Sequence, residues 1–160
     1  MVRNKKLNAA ILAIIGSFSV SSCGKNIIMT DSATTQERFL SQKGLPAQNL
    51  KSGSCALFLW GAGNGRPLQF YQDAAQSQAT FAIDPDLPAK RISANGRILE
   101  GFYTEQTFVQ RDLKIEVKLR AGDSRNVLKG IPIPYGRMVI TEPDGQATII
   151  PVSGLFGCRK

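Results

Sequence analysis

Few residues in this chain have side chains suited to catalysis, and histidine is absent. That removes the commonest general base and the commonest zinc ligand together. What remains is three cysteines, two pairs of carboxylates and one glycine-rich stretch. Asp84 and Asp86 flank Pro85, and Glu142 and Asp144 flank Pro143. Paired carboxylates serve sugar hydrolysis as acid and base. Each pair here falls in a proline turn, however, where acidic residues stabilise the backbone without any catalytic part. Neither pair has the spaced ligands of an EF-hand loop. Gly61-Ala-Gly-Asn-Gly65 lacks both the GxGxxG of a dinucleotide loop and the closing Gly-Lys-Ser/Thr of a P-loop, so it reads as a turn. Trp60 is the single tryptophan and closes an apolar run, which makes it a core anchor ahead of a sugar-stacking platform. Phe70-Tyr71, Phe102-Tyr103 and Phe108 read as packing residues in the same way. No catalytic residue, cofactor or metal site is expected, and the chain does not read as an enzyme.

The cysteines are more informative. Arg3, Lys5 and Lys6 precede a mostly apolar stretch, Leu7–Val20. Those residues reach about 21 Å as a helix, short of the roughly 30 Å hydrocarbon core of a bilayer. This is the pattern of a secretory leader rather than a membrane span. Val20-Ser21-Ser22-Cys23 follows it directly. The segment 1–23 resembles the lipobox leader of bacterial lipoproteins, with Val20 in place of the more typical Leu. The resemblance implies cleavage after residue 22, lipidation of Cys23 and stable anchoring by the acylated cysteine. Gly24, rather than Asp, after that cysteine implies the periplasmic face of the outer membrane. Cys55 and Cys158 are then an even pair in an oxidising compartment, and a disulfide between them is expected. A catalytic thiol would want a histidine or a CxxC spacing, and the chain has neither.

Loss of Arg3, Lys5 and Lys6 with the leader reduces the 20 basic residues to 17 against 12 acidic ones, a net charge of +5. An exported chain without Lys/Arg clusters interleaved with aromatics is not a nucleic-acid binder. Lipid headgroups, an anionic cell-wall polymer or an envelope protein suit such a surface better.

The elements follow from texture. From Gly24 to about Ser54 the chain is polar and irregular and reads as a flexible tether, with Phe39, Leu40, Leu45 and Leu50 as candidates to dock on the domain. From Cys55 to Cys158 short apolar runs alternate with Gly and Pro turns. Asn95-Gly96 carries a hairpin signal, and Glu142-Pro-Asp-Gly145 links a last pair of strands from Gly136 to Val152. Leu155–Cys158 reads as a separate closing strand. Leu113–Arg120 is the clearest element, with Leu113, Ile115, Val117 and Leu119 alternating against Lys114, Glu116, Lys118 and Arg120. Lys114, Lys118 and Arg120 would form an outward row on the order of 20 Å long, a candidate contact with an anionic surface. The whole reads as all-β: a small antiparallel barrel or sandwich of about eight strands, the choice between the two being open.

Size, anchor and architecture also resemble the membrane-bound inhibitors of C-type lysozyme. Their Ser-Gly-x-Arg-Tyr motif has no match here, Ala121-Gly-Asp-Ser-Arg125 being only a faint echo. Lysozyme is itself basic and would be repelled by this chain. The stretch from Cys55-Ala-Leu-Phe-Leu-Trp60 to Pro151-Val152-Ser-Gly-Leu-Phe-Gly-Cys158 is similar to small exported proteins of Gram-negative bacteria, a likeness that implies no activity. The expectation is a lipid-anchored envelope protein with a non-enzymatic structural or binding role, an inhibitor of an exported hydrolase being the alternative.

Overall fold

The alternation in Leu113–Arg120 is the pattern on which the whole domain is built. In the computed structural model, which describes residues 43–62, 64–99, 101–123 and 130–160, Ile115 and Val117 are wholly buried. Lys114, Lys118 and Arg120 point out and are exposed. The domain is eight strands, β1 (Cys55–Gly61), β2 (Leu68–Asp73), β3 (Gln78–Phe81), β4 (Ala89–Leu99), β5 (Phe102–Gln110), β6 (Leu113–Arg120), β7 (Gly130–Thr141) and β8 (Ala147–Cys158), and the two-residue period breaks where register shifts between β1 and β2, β4 and β5, and β7 and β8. Each pairs antiparallel with the next, and β1 pairs with β8, so the sheet is a closed up-and-down barrel. Closure leaves no strand without two neighbours, which settles barrel against sandwich.

The closing seam has two sequence causes. Cys55 and Cys158 stand opposite each other in register, Cα atoms 4.0 Å apart, and are joined by a disulfide across 103 residues. Gly154 lets the strands approach closely, since a Cβ there would stand 2.0 Å from the Phe58 carbonyl oxygen.

Apolar side chains fill the interior. Phe70, Phe81 and Phe108 meet edge to face, with ring centroids 5.0, 5.8 and 5.4 Å apart, and Phe102 packs on Phe156 at 5.1 Å. Each fully buried ring contributes on the order of 1.5–3 kcal/mol. Four glutamines, Gln69, Gln72, Gln106 and Gln110, are buried as well, and two of them satisfy one another. Gln72 Nε2 donates to Gln106 Oε1 at 3.2 Å and Gln106 Nε2 to Gln72 Oε1 at 3.0 Å. The Arg91 guanidinium adds a bond to Gln106 Oε1 at 3.1 Å.

Four local expectations change. Asn95-Gly96 is not a hairpin turn. β4 runs through it with a register shift, and Gly96 (φ 83°) spends its left-handed conformation on a bulge. A Cβ there would fall 2.4 Å from Thr104 Oγ1, which accepts the Arg97 N–H at 3.0 Å. The β4–β5 turn lies instead at Gly101 (φ 94°). β7 begins at Gly130 rather than Gly136, despite Pro132 and Pro134. That stretch pairs with β8 alone, because the pairing of β6 with β7 stops at Arg120 and Tyr135. On the other side the chain beyond β6 gives Pro132 a donor, the Gly122 N–H on the Pro132 carbonyl at 2.8 Å, and past Arg120 there is no β6 ladder for the missing proline N–H groups to break. β8 is one continuous strand from Ala147 to Cys158. Finally, the segment 43–54 is not free of the domain. Leu45 is buried and donates its N–H to the Leu68 carbonyl at 2.7 Å, and the Leu50 carbonyl accepts from Arg159 at 2.8 Å. Leu45 thus docks beside β2 where β3 has ended. The remainder of the expected tether, with Phe39 and Leu40, lies outside the described residues, as do the leader and Cys23.

Candidate functional site: two grooves at the bulge of β7

The basic row of β6 is present but is not electrically uniform. Lys114 Nζ sits 3.1 Å from Glu116 Oε1 on its own strand, and Lys118 Nζ lies 3.5 Å from Glu105 Oε2 on β5. Arg120 has no carboxylate partner among the described residues. Exposed pairs of this kind are weak, generally below about 1 kcal/mol. They nonetheless shift the unneutralised charge toward the Arg120 end of the strand.

There β7 supplies what the sequence reading missed. Lys118 stands opposite Arg137, and Arg120 opposite Tyr135. Arg137 is exposed and, like Arg120, has no carboxylate partner among the described residues. Tyr135 is 69% exposed, the highest value among the described large apolar residues. Lys118, Leu119, Arg120, Tyr135, Gly136 and Arg137 line an open groove of about 340 Å³. Its floor is made possible by Gly136, where a Cβ would stand 2.8 Å from Leu119 Cδ2 and 3.1 Å from Val152 Cγ2. Pro-Ile-Pro-Tyr-Gly-Arg was the available signal. Its tyrosine and arginine could be joined to the β6 row only through a register that the sequence does not display.

The same bulge, between Ile133 and Gly136, borders a second groove of about 580 Å³ lined by Trp60, Arg66, Pro132, Ile133, Pro134, Ser153 and Gly154. Trp60 is therefore not a core anchor. It is half-buried outside the barrel and stacks on Phe58 with centroids 6.1 Å apart. The β1–β2 turn places Arg66 in a left-handed conformation (φ 43°) that carries its guanidinium to Ser153 Oγ at 2.7 Å. A smaller polar recess of about 250 Å³ lies on the other side of β6 and includes Ser93, Asn95, Glu105 and Glu116.

The carboxylate pairs behave as turn residues. Asp84 bonds Arg111 at 2.8 Å, and Asp144 Oδ1 accepts the Gln146 N–H at 2.9 Å. Neither pair lies in these grooves. The Gly61–Gly65 stretch leads from strand to strand, with no helix for a phosphate to cap. No three His, Cys, Asp or Glu side chains among the described residues are grouped to hold a metal ion. Tyr71 stands next to Phe58 on the outer wall, and burial, then the Asp73 carboxylate, push its hydroxyl up.

The sense of the barrel matters for its setting. Its interior is apolar and its outer wall carries charged residues, the reverse of a transmembrane barrel with a lipid-facing apolar band. What the grooves offer chemically is cation and aromatic contact on one outer face, the arrangement of a binding surface for anionic groups. No protein-family model, curated protein or solved structure matches the chain.

Proposed function

We propose that this chain is a lipid-anchored envelope protein, held through Cys23 at the periplasmic face of the outer membrane, whose barrel binds rather than catalyses. The observation that carries the reading is the Cys55–Cys158 bridge in a chain that starts with a basic region, an apolar stretch and Val20-Ser21-Ser22-Cys23. A disulfide spanning the whole domain belongs to an oxidising compartment, and the lipobox-like leader supplies a route there. The open basic groove at Arg120 and Arg137 supports anionic lipid, an anionic wall polymer or an acidic envelope protein as partner. The +5 charge of the mature chain agrees with all three.

Expression in a Gram-negative host, membrane fractionation and intact-mass measurement test the anchor. The native chain should sediment with outer membranes and carry the mass of an acylated Cys23. Cys23→Ala should be found unacylated, as uncleaved precursor. Equal acylation of both forms defeats the proposal. Affinity capture from detergent-solubilised envelopes separates a structural partner from an exported hydrolase. Stoichiometric recovery of a hydrolase would replace the binding role with that of an inhibitor.

A further inference from the structure

We infer that the outer face of β6, β7 and β8 is the surface by which the anchored barrel lies down on an anionic bilayer. Arg120 and Arg137 meet lipid phosphates, and Tyr135 and Ile149 enter the headgroup layer. The inference rests on the membrane-anchored reading and adds the face and its partner.

Register places these side chains together. Tyr135, Arg137 and Val139 alternate outward along β7, and Ile149 of β8 stands opposite Val139. Tyr135 and Ile149 are 69% and 54% exposed, a cost in water that an interfacial layer relieves. Amphipathic aromatic rings beside cations are what headgroup depth favours. A hydrated polymer would satisfy the cations and leave the tyrosine and isoleucine in water, so the bilayer is the better partner.

Electrostatics point the same way. Lys118 and Arg137 face each other directly, and like charges in that position repel. Lys118 is drawn aside to Glu105, which leaves Arg137 and Arg120 around the open groove with no anion of the described residues between them. Neither β7 nor β8 contains an acidic residue, and Glu116, the one acid of β6, is held by Lys114. An anion from outside would offset the repulsion. Geometry of the anchor allows it: the stretch from Cys23 to the docked Leu45 can extend to about 70 Å. That upper bound rules out no face, so the surface chemistry of the barrel is the argument for which one docks.

Trp60, the single tryptophan, lines the groove just across Pro134 and is a built-in reporter. The mature lipidated protein is reconstituted in phosphatidylcholine vesicles, with or without phosphatidylglycerol, that carry a headgroup spin-labelled lipid. Flotation reads the anchor and Trp60 quenching reads the docking. The expected result is flotation in both lipids, with quenching that needs phosphatidylglycerol and fades in high salt. Losing two surface cations should weaken docking about thirtyfold, so Arg120→Gln/Arg137→Gln should float normally but lose the quenching. Tyr135→Ser should weaken it as well, while Lys90→Gln/Arg97→Gln on β4, an equal loss of two charges elsewhere, should not. All five positions are exposed, and circular dichroism checks that each variant is folded. Flotation with quenching that is absent, or indifferent to phosphatidylglycerol, overturns the docking face and leaves the anchor standing. Failure to float overturns the anchor instead. Trp60 quenching by phosphatidylglycerol vesicles added to the unanchored protein would then uphold the docking face, and its absence would overturn it.

Discussion

Single atoms decide whether this barrel closes. Gly154 has no room for a methyl group, because the nearest neighbour of a Cβ there is a backbone oxygen, Phe58 O at 2.0 Å, with Leu59 Cδ2 at 2.7 Å. A flexible side chain could give way, but a carbonyl held in a ladder cannot. Gly154→Ala should therefore cost about 2–3 kcal/mol in urea unfolding, whereas the same change at Gly157, whose nearest contact is 3.9 Å away, should cost much less. Tyr71 gives a test by pH. Its hydroxyl is pushed up, first by burial and then by Asp73, so its folded pKa lies above the value of the unfolded chain. Its contribution to stability is complete below the ordinary tyrosine pKa of about 10 and is lost as pH rises through the higher folded value. In an absorbance titration of phenolate, Tyr71 should ionise later than an ordinary tyrosine, and Tyr71→Phe should remove that late component. It should also flatten the alkaline loss of stability.

Strands place polar groups where the sequence pattern alone would not. β2 and β5 are not neighbours in the sheet, yet their inward glutamines, Gln72 and Gln106, close a reciprocal amide pair across the lumen. Replacing Gln106 alone by Ala strands the Gln72 amide in a dry interior, at a cost of about 1–3 kcal/mol. Gln72→Leu/Gln106→Leu removes both partners and should lie closer to the native protein, since Arg91 is half-exposed and can turn to water. Chemical denaturation of the three forms compares them. A single substitution no worse than the double would show that the pair contributes nothing. The bulge of β7 works at the same scale: by pairing only with β8, its first half admits two prolines and turns Tyr135 outward beside Arg120.

Across the whole molecule the seam between β1 and β8 is the least local strand pairing of the barrel. It joins chain ends 103 residues apart, and non-local pairing of that kind delays folding. The disulfide reduces the search and, in the chain-entropy account, stabilises the fold by about 4–5 kcal/mol. Cys55→Ser/Cys158→Ser should unfold at lower denaturant and refold more slowly than the oxidised protein in stopped-flow measurements. Unchanged rates would mean that the seam forms after the rate-limiting step.

What the sequence determined by itself is whatever depends on local spacing. Four perfect alternations in Leu113–Arg120 placed β6 and its two faces, because side chains on a strand point to opposite sides whatever the partner. Pro-Asp-Gly placed the β7–β8 turn through turn chemistry alone. Two cysteines near the ends of the β region were enough to expect the bridge between them. Tertiary structure decided what depends on register and closure. Asn95-Gly96 has the same local preference for positive φ in a bulge as in a turn, and only the pairing of β4 with β5 chose the bulge. Gly136 looked like the start of β7 until the ladder with β8 carried the strand back through Pro134 and Pro132 to Gly130. Trp60 looked apolar enough for the core, but the pleat of β1 had already given the interior to Leu57 and Leu59. The basic groove is the clearest case. Lys118, Arg120 and Arg137 are brought together by hydrogen bonds between strands, and cross-strand register is a property that no single stretch of chain encodes.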